Sequence, residues 1–271
     1  MEEALAKAGI TAQPQWLSAL EIARAARNAA GDGTRLVVAG GGDGTIGCVA
    51  GAIAGTATKL AVIPIGTLNH FARDLGIPLD LAEAARVAAS GRARKVDIAE
   101  VNGRVFVNNS AIGIYPLMVA NRDLQRRTLG RSKRLAMLVA SLRTLARFGH
   151  QRLTVSVDGQ KEHVDTPLLF VGNNSYRLDA PAAGRRDSLQ EEELFVLVMR
   201  RKTRRGFIAA CARALIGRPS DSDMVQLDNV RRLRVGSRRS LLVVSLDGEV
   251  ERLAPPLDYR IRPKALTVLV P

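Results

Sequence analysis

Two carboxylates in this chain stand where chemistry could happen. The first, Asp43, lies inside VVAGGGDGT at residues 37–45, ringed by Gly40, Gly41, Gly42 and Gly44. Glycines let the backbone turn tightly and come close to a ligand, and their amides, with the start of a helix after Thr45, suit a phosphate. A carboxylate in such a place repels anions unless a magnesium ion stands between them, directly or through water. The second, Asp247, follows the apolar run LLVVSL and precedes Gly248 and Glu249. There it is either a strand-end base or one corner of an exposed hairpin. For the glycines the plain alternative is a packing turn, which four glycines around one acid make costly in chain entropy.

Two familiar phosphate motifs do not fit. GDGTIG at residues 42–47 has the spacing of a dinucleotide fingerprint. That fingerprint wants an acid about twenty residues on, and none occurs between Asp43 and Asp74. A phosphate loop ending in Gly-Lys-Ser/Thr is ruled out because no lysine follows the glycines until Lys59. His70 could act as a base, but a lone histidine before Phe71 is as often structural.

The elements that must position these residues are legible in the apolar pattern. WLSALEIARAARNAA at 16–30 predicts a helix with Leu17, Leu20, Ile22 and Ala25 inward and Arg24 and Arg27 outward. A short strand to Ala39, a small-residue helix, a strand KLAVIPIG and a helix at 79–91 follow, the last with Leu79, Ala82, Ala85 and Val87 inward. Strand–helix alternation predicts a parallel sheet with helices on its faces, an α/β nucleotide-binding domain over residues 1–96. From residue 97 the pattern turns β-rich: Asn102-Gly103 marks a hairpin, and LTVSV, PLLFVG, LFVLVM, RRLRVGS, LLVVSL and LTVLVP read as strands. Only 117–147 and RGFIAACARALIG look helical there. A β-sandwich domain over 97–271 is expected, its last strands returning toward the first domain.

Composition narrows the partners. In 271 residues, 40 Lys and Arg against 26 Asp and Glu leave a net charge of +14, which favours anionic partners. Nine Arg or Lys lie between Arg122 and Arg152, with further clusters at 200–205 and 231–239. These suit an anionic membrane surface. Aromatics are only 4%, too few for base-stacking platforms, so nucleic acid is not expected. Cys48 and Cys211 give neither a disulfide framework nor a zinc spacing. No leader and no apolar run of membrane-spanning length is evident. A cytoplasmic protein, peripheral to the membrane when it meets its acceptor, is the expectation.

GGGDGT at 40–45 followed by PIGTLNHFAR at 64–73 resembles the catalytic domain of the diacylglycerol kinase, sphingosine kinase and bacterial lipid kinase superfamily, whose nucleotide domain is similar to that of NAD kinases. VD at 96–97, VFVNNSAIG at 105–113, GNNSY at 172–176 and SLDGE at 245–249 extend the likeness to the C-terminus. The resemblance implies ATP-dependent phosphorylation of a lipid hydroxyl, diacylglycerol or a relative, with magnesium. It places Gly40, Gly41, Gly42, Asp43, Gly44, Thr45, Gly66, Thr67 and Asn69 at the ATP phosphates, with Glu249 beside the nucleotide. Asp43 lies near the metal, and Asp247 is the general base. Asp97 is expected at the domain junction or the nucleotide edge. Asp187 aligns with an acid of a structural magnesium site, although Ser188 replaces the usual glycine. The customary opening strand with Asn-Pro-x-x-Gly is missing from these residues. A kinase for a soluble hydroxyl, and a nucleotide- or lipid-binding protein without turnover, remain as alternatives; a homodimer is left open.

Overall fold

A computed structural model describes residues 1–12, 14–114, 149–177, 184–201, 203–215, 220 and 222–271. The basic segment expected to be helical at 117–147 lies outside them. The chain forms two compact units. One holds Met1–Asn108, Asp187–Glu192 and Ile261–Pro271, the other Asn109–Arg186 and Glu193–Arg260.

The first unit is a mixed sheet with helices. Strands β1 (Leu36–Gly41) and β2 (Lys59–Pro64) pair in parallel, and β2 pairs in parallel with the end of β14 (Leu257–Val270). Beyond it lie β3 (Arg92–Val101) and, antiparallel to β3, β4 (Arg104–Phe106). The sheet is therefore mixed and not purely parallel, because the hairpin at Asn102-Gly103 joins it; both residues take positive φ, as a tight two-residue turn demands. Helix α3 (Asp43–Ile53) crosses between β1 and β2 and buries Ile46, Val49, Ala50 and Ile53. Leu60, Ile63 and Ile98 of the strands are fully buried, each worth about 1.5–3 kcal/mol.

Three further helices complete this unit: α1 (Glu2–Lys7), α2 (Ala19–Gly31) and α5 (Leu81–Ser90), with the short α4 (His70–Asp74) treated below. Helix α2 starts three residues later than expected, at a capping box in which the Ser18 N–H donates to Glu21 Oε2 at 2.8 Å. Trp16 lies ahead of it, 81% exposed, and Leu20 is 84% exposed, so Ala26 and not Leu20 faces the core. Helix α5 is capped by Asp80, which accepts from the Ala82 and Glu83 amides, and buries Ala84, Ala85 and Ala88. Leu79 precedes the cap and stays exposed, so the buried stripe is rotated from the expected one.

One fully buried acid sews the first unit together. Asp97 accepts the Glu192 N–H at one oxygen and the Lys264 N–H at the other, both at 2.8 Å, and its own amide donates to Leu189 O. Segments about a hundred and more residues apart in sequence thus share one carboxylate. This pins 187–192 and the start of the last strand's second half to β3.

The second unit is a β-sandwich, antiparallel throughout. One sheet runs β10 (Met224–Val230), β9 (Leu194–Met199), β8 (Leu168–Asn173), β5 (Asn109–Gly113), β12 (Leu242–Leu246) and β13 (Glu249–Leu253). The other carries the first residues of β14, then β11 (Arg232–Ser237), β6 (Gln151–Val157) and β7 (Gln160–Thr166). Leu153, Val155, Leu233 and Val235 point inward at period two. The buried Ser110 Oγ and Tyr259 Oη, 3.1 Å apart, hydrogen-bond within the unit. Burial pushes the Tyr259 phenol above its ordinary pKa, so it stays protonated and structural. Across the outer face of β8 and β9, Phe170, Tyr176 and Phe195 stack edge to face or tilted at 5.5–6.1 Å, beside α6 (Arg204–Leu215). A Cβ at Gly172 would stand 2.5 Å from the Tyr176 ring, so this glycine is required by contact.

The wholly buried Asp223 accepts from Arg213 Nε at 2.7 Å and Arg201 Nε at 2.6 Å. Arg213 first, then Arg201, holds its carboxyl below the usual carboxylate range. A depressed folded pKa means stability present above the unfolded pKa and lost as pH falls through the folded one. The urea midpoint should therefore fall as the buffer is taken from neutral pH to below the ordinary aspartate range. Asp223→Asn should lower the midpoint at neutral pH and flatten this acid dependence.

Candidate active-site elements

Gly41 and Pro64 are register partners at the C-terminal ends of β1 and β2, so the GGGDGT and PIGTLN loops leave neighbouring parallel strands side by side. This edge is where open α/β sheets bind ligands. Their backbones touch. A Cβ on Gly66 would lie 2.3 Å from Gly42 Cα and 2.7 Å from Asn69 Oδ1; one on Gly41 would lie 2.5 Å from Thr45 Cβ. None of Gly40, Gly41, Gly42 and Gly66 needs a positive φ. Gly41 and Gly66 are there for closeness, not for an unusual conformation. Strand β1 continues through Gly41 and α3 begins at Asp43 with Gly42 as N-cap, so the acid and Gly44 lie in the first helical turn and not ahead of it. An acid in a helix's first turn is favoured by the axial dipole.

Asp43 is engaged on three sides. Its Oδ1 accepts the Phe71 N–H and Asn108 Nδ2–H, both at 3.1 Å, and its Oδ2 accepts the His70 N–H at 3.2 Å. The carboxylate thus caps α4 from a different element and ties α3, the second loop and the segment after β4 to one point. Two donors take up Oδ1; Oδ2 keeps one lone pair. That lone pair is open to a magnesium ion, directly or through a water.

Asn69 sits in the left-handed region at φ 52° and is 7% exposed. Its Nδ2 donates to Pro64 O at 3.1 Å and Gly66 O at 2.9 Å, fixing the loop. Its Oδ1 is buried and has no partner. A buried acceptor without a donor is costly, and a ligand hydroxyl or amine would satisfy it. Thr67 and His70 are exposed at the same loop.

In the second unit Asp247 and Gly248, at φ 48° and 84°, form the two-residue turn between β12 and β13. The turn is anchored. Asp247 N–H donates to Asn109 O at 2.9 Å, and Asn109 N–H donates to Asp247 Oδ1 at 3.1 Å. Hairpin corner and positioned carboxylate are the same residue. Beside it Asn109 Oδ1 and Ser245 Oγ are buried without partners. Glu249 is exposed at the corner, opposite Leu246.

Asp187 is exposed, and among the described residues no three His, Cys, Asp or Glu side chains gather as a metal site. The sequence reading gave no role to Asn108 and Asn109, which hold the two acids; their place inside VFVNNS was the available signal. GNNSY builds a corner of its own. Buried Arg186 donates to Asn173 O at 3.1 Å and stands 5.3 Å over the Tyr176 ring, while Ser175 Oγ donates to Glu193 Oε1 at 2.6 Å.

Residues 1–101 match the diacylglycerol kinase catalytic domain and residues 118–270 the YegS C-terminal NAD kinase beta sandwich-like domain. A diacylglycerol kinase of Bacillus subtilis is 27% identical over 72% of the chain and 64% of its own length. A probable YegS-like lipid kinase of Pseudomonas syringae is 42% identical over 35% of the chain and 32% of its own length. The chain thus spans less than two thirds of these curated relatives. A crystal structure of a diacylglycerol kinase from Bacillus anthracis aligns with TM-score 0.70 at 20% identity, over 99% of this chain and 88% of that one, a likeness of fold. The chain belongs to the diacylglycerol kinase and YegS-like lipid kinase superfamily.

Gly66→Ala forces a methyl into the Gly42 backbone and should cost about 1–3 kcal/mol, read as a lowered urea midpoint. Asp43→Ala strands the His70 and Phe71 amides and Asn108 Nδ2. It should cost about 1–3 kcal/mol and raise amide exchange at the start of α4.

Proposed function

We propose that the chain transfers the terminal phosphoryl group of ATP to a hydroxyl of diacylglycerol or a related lipid. The observation that carries this reading is the pair of glycine loops touching backbone to backbone, with the buried Asn69 acceptor unsatisfied beside them. On this reading Gly40, Gly41, Gly42, Gly44 and Thr45, with Gly66 and Thr67, line the donor phosphates. Amides there approach the oxygens closely because no Cβ stands in the way. Asn69 Oδ1 accepts from a ligand donor. Asp43 positions both loops, and its remaining Oδ2 lone pair would help to hold magnesium. Bound magnesium would neutralise charge on the phosphate oxygens.

The first unit is then the nucleotide domain and the second the acceptor domain. Asp247 accepts the proton as the acceptor oxygen forms its bond to the γ-phosphorus; the bond from that phosphorus to the bridging oxygen breaks, and ADP leaves. Holding a carboxylate rigidly costs no reorganisation at the moment of transfer. Asn109 supplies that rigidity, gripping Asp247 at its amide and at Oδ1. Phe170 and Tyr176, half-buried against the buried Phe195, are apolar rings of the same unit that a lipid tail would meet. On this reading the acceptor is met at a membrane surface; no described helix is long and apolar enough to cross a membrane.

Asp247→Asn is the sharpest test. Asparagine tolerates the left-handed conformation and keeps an oxygen for the Asn109 amide, so the fold should survive. With radiolabelled ATP, magnesium and mixed lipid extract, label in the lipid phase should fall about 10²–10⁴-fold while nucleotide binding persists. Equal labelling by both proteins would remove the proposed base. Nucleotide binding without label from either would favour a binding protein, and label confined to the aqueous phase a soluble acceptor.

A further inference from the structure

The second unit carries a basic groove that the reaction proposed above does not use. Strands β6, β7 and β11 run side by side there, with Thr154 opposite His163 on one flank and Gly236 on the other. Arg152 and Asp165, two register positions along, are the next pair on the same face. Arg238 and Arg239, in the turn after β11, close one end. The opening has a volume of about 880 Å³, enough for a ligand larger than a single inorganic ion.

Its charges are unevenly spent. Asp165 is the one acid among the described lining residues, and it faces His150, whose Nδ1 lies 3.4 Å from its Oδ1. His163 is used by its own sheet, its Nδ1 3.0 Å from Thr154 Oγ1. Arg152, Arg238 and Arg239 are exposed, and no described ion pair or side-chain hydrogen bond engages their guanidinium groups. Three exposed guanidinium groups around Gly236, Ser237 and Thr154 place forked donors where no described residue hydrogen-bonds to them. Guanidinium forks match phosphate oxygens two at a time. The lining holds no Phe, Tyr or Trp, so a nucleobase would find no ring to stack on.

We infer that this groove is a separate anion site that takes a phosphate group, with Arg152, Arg238 and Arg239 as its donors. The phosphate belongs either to a phospholipid headgroup or to a small soluble phosphate compound; the chemistry of recognition is the same. The inference stands apart from phosphoryl transfer, because the site holds none of Gly42, Gly66, Asn69 or Asp247 and is read by binding alone.

The test uses the whole chain and an Arg238→Ala/Arg239→Ala variant, with Arg152→Ala as a second. All three arginines are exposed, so the fold should be unchanged, and far-ultraviolet circular dichroism checks it. Calorimetry with pyrophosphate, without nucleotide or magnesium, reads the soluble source. Cosedimentation with phosphatidylcholine vesicles, with and without phosphatidylglycerol, reads the lipid source. In whichever arm binds, the double variant should bind at least about tenfold more weakly, each lost charge near a phosphate surface counting for about one decimal order or less. Arg238→Lys/Arg239→Lys should recover only part of this, since an ammonium cannot fork. No binding in either arm, equal binding by wild type and variants, or binding only to a single-stranded RNA homopolymer would overturn the site.

Discussion

Gly42 and Gly66 meet with no side chain between them, and the rest of the candidate nucleotide site follows from that contact. The two loops on these adjacent parallel strands can lie this close only if Gly66 carries no Cβ, which would stand 2.3 Å from Gly42 Cα. Asn69, bonding back to Pro64 O and Gly66 O, keeps the second loop folded against the first. Closeness here is a steric condition met by composition, and it holds before any ligand arrives.

Carboxylates do most of the tying. Asp43 joins α3 to the start of α4 and to Asn108; Asp97 joins β3 to the 187–192 segment and to the last strand. Asp223 joins two arginines in the second unit. In each case an ionised oxygen accepts donors that would otherwise be stranded, and charge-assisted bonds are the stronger kind. Acids are scarce in this basic chain, and these three are spent on architecture. Asp247 is held differently, by the Asn109 amide at Oδ1 and by a turn that keeps it in the left-handed region.

Positive charge in this chain is of two kinds. Arg186, Arg201 and Arg213 are absorbed by carbonyls, carboxylates or a ring within the second unit. Arg152, Arg238 and Arg239 are not. A surplus of +14 is thus partly structural and partly displayed.

The sequence by itself determined the strand–helix alternation of the first unit, the apolar strands of the second, the hairpin at Asn102-Gly103, one of two readings of the Asp247-Gly248 corner, and the glycine positions, because local turn chemistry and apolar period are written residue by residue. The polar-rich β7, β10 and β13 left no such mark. Only the tertiary structure decided that Asp43 caps a helix twenty-seven residues away, that Asp97 gathers three distant segments, and that Asn109 grips Asp247. It also decided that Leu20 and Leu79 face outward, since a helix's buried stripe is set by where its cap starts and what packs against it. Hydrogen bonds between residues far apart in the chain leave no period to read. They exist only once the backbone has brought donor and acceptor within about 3 Å of each other.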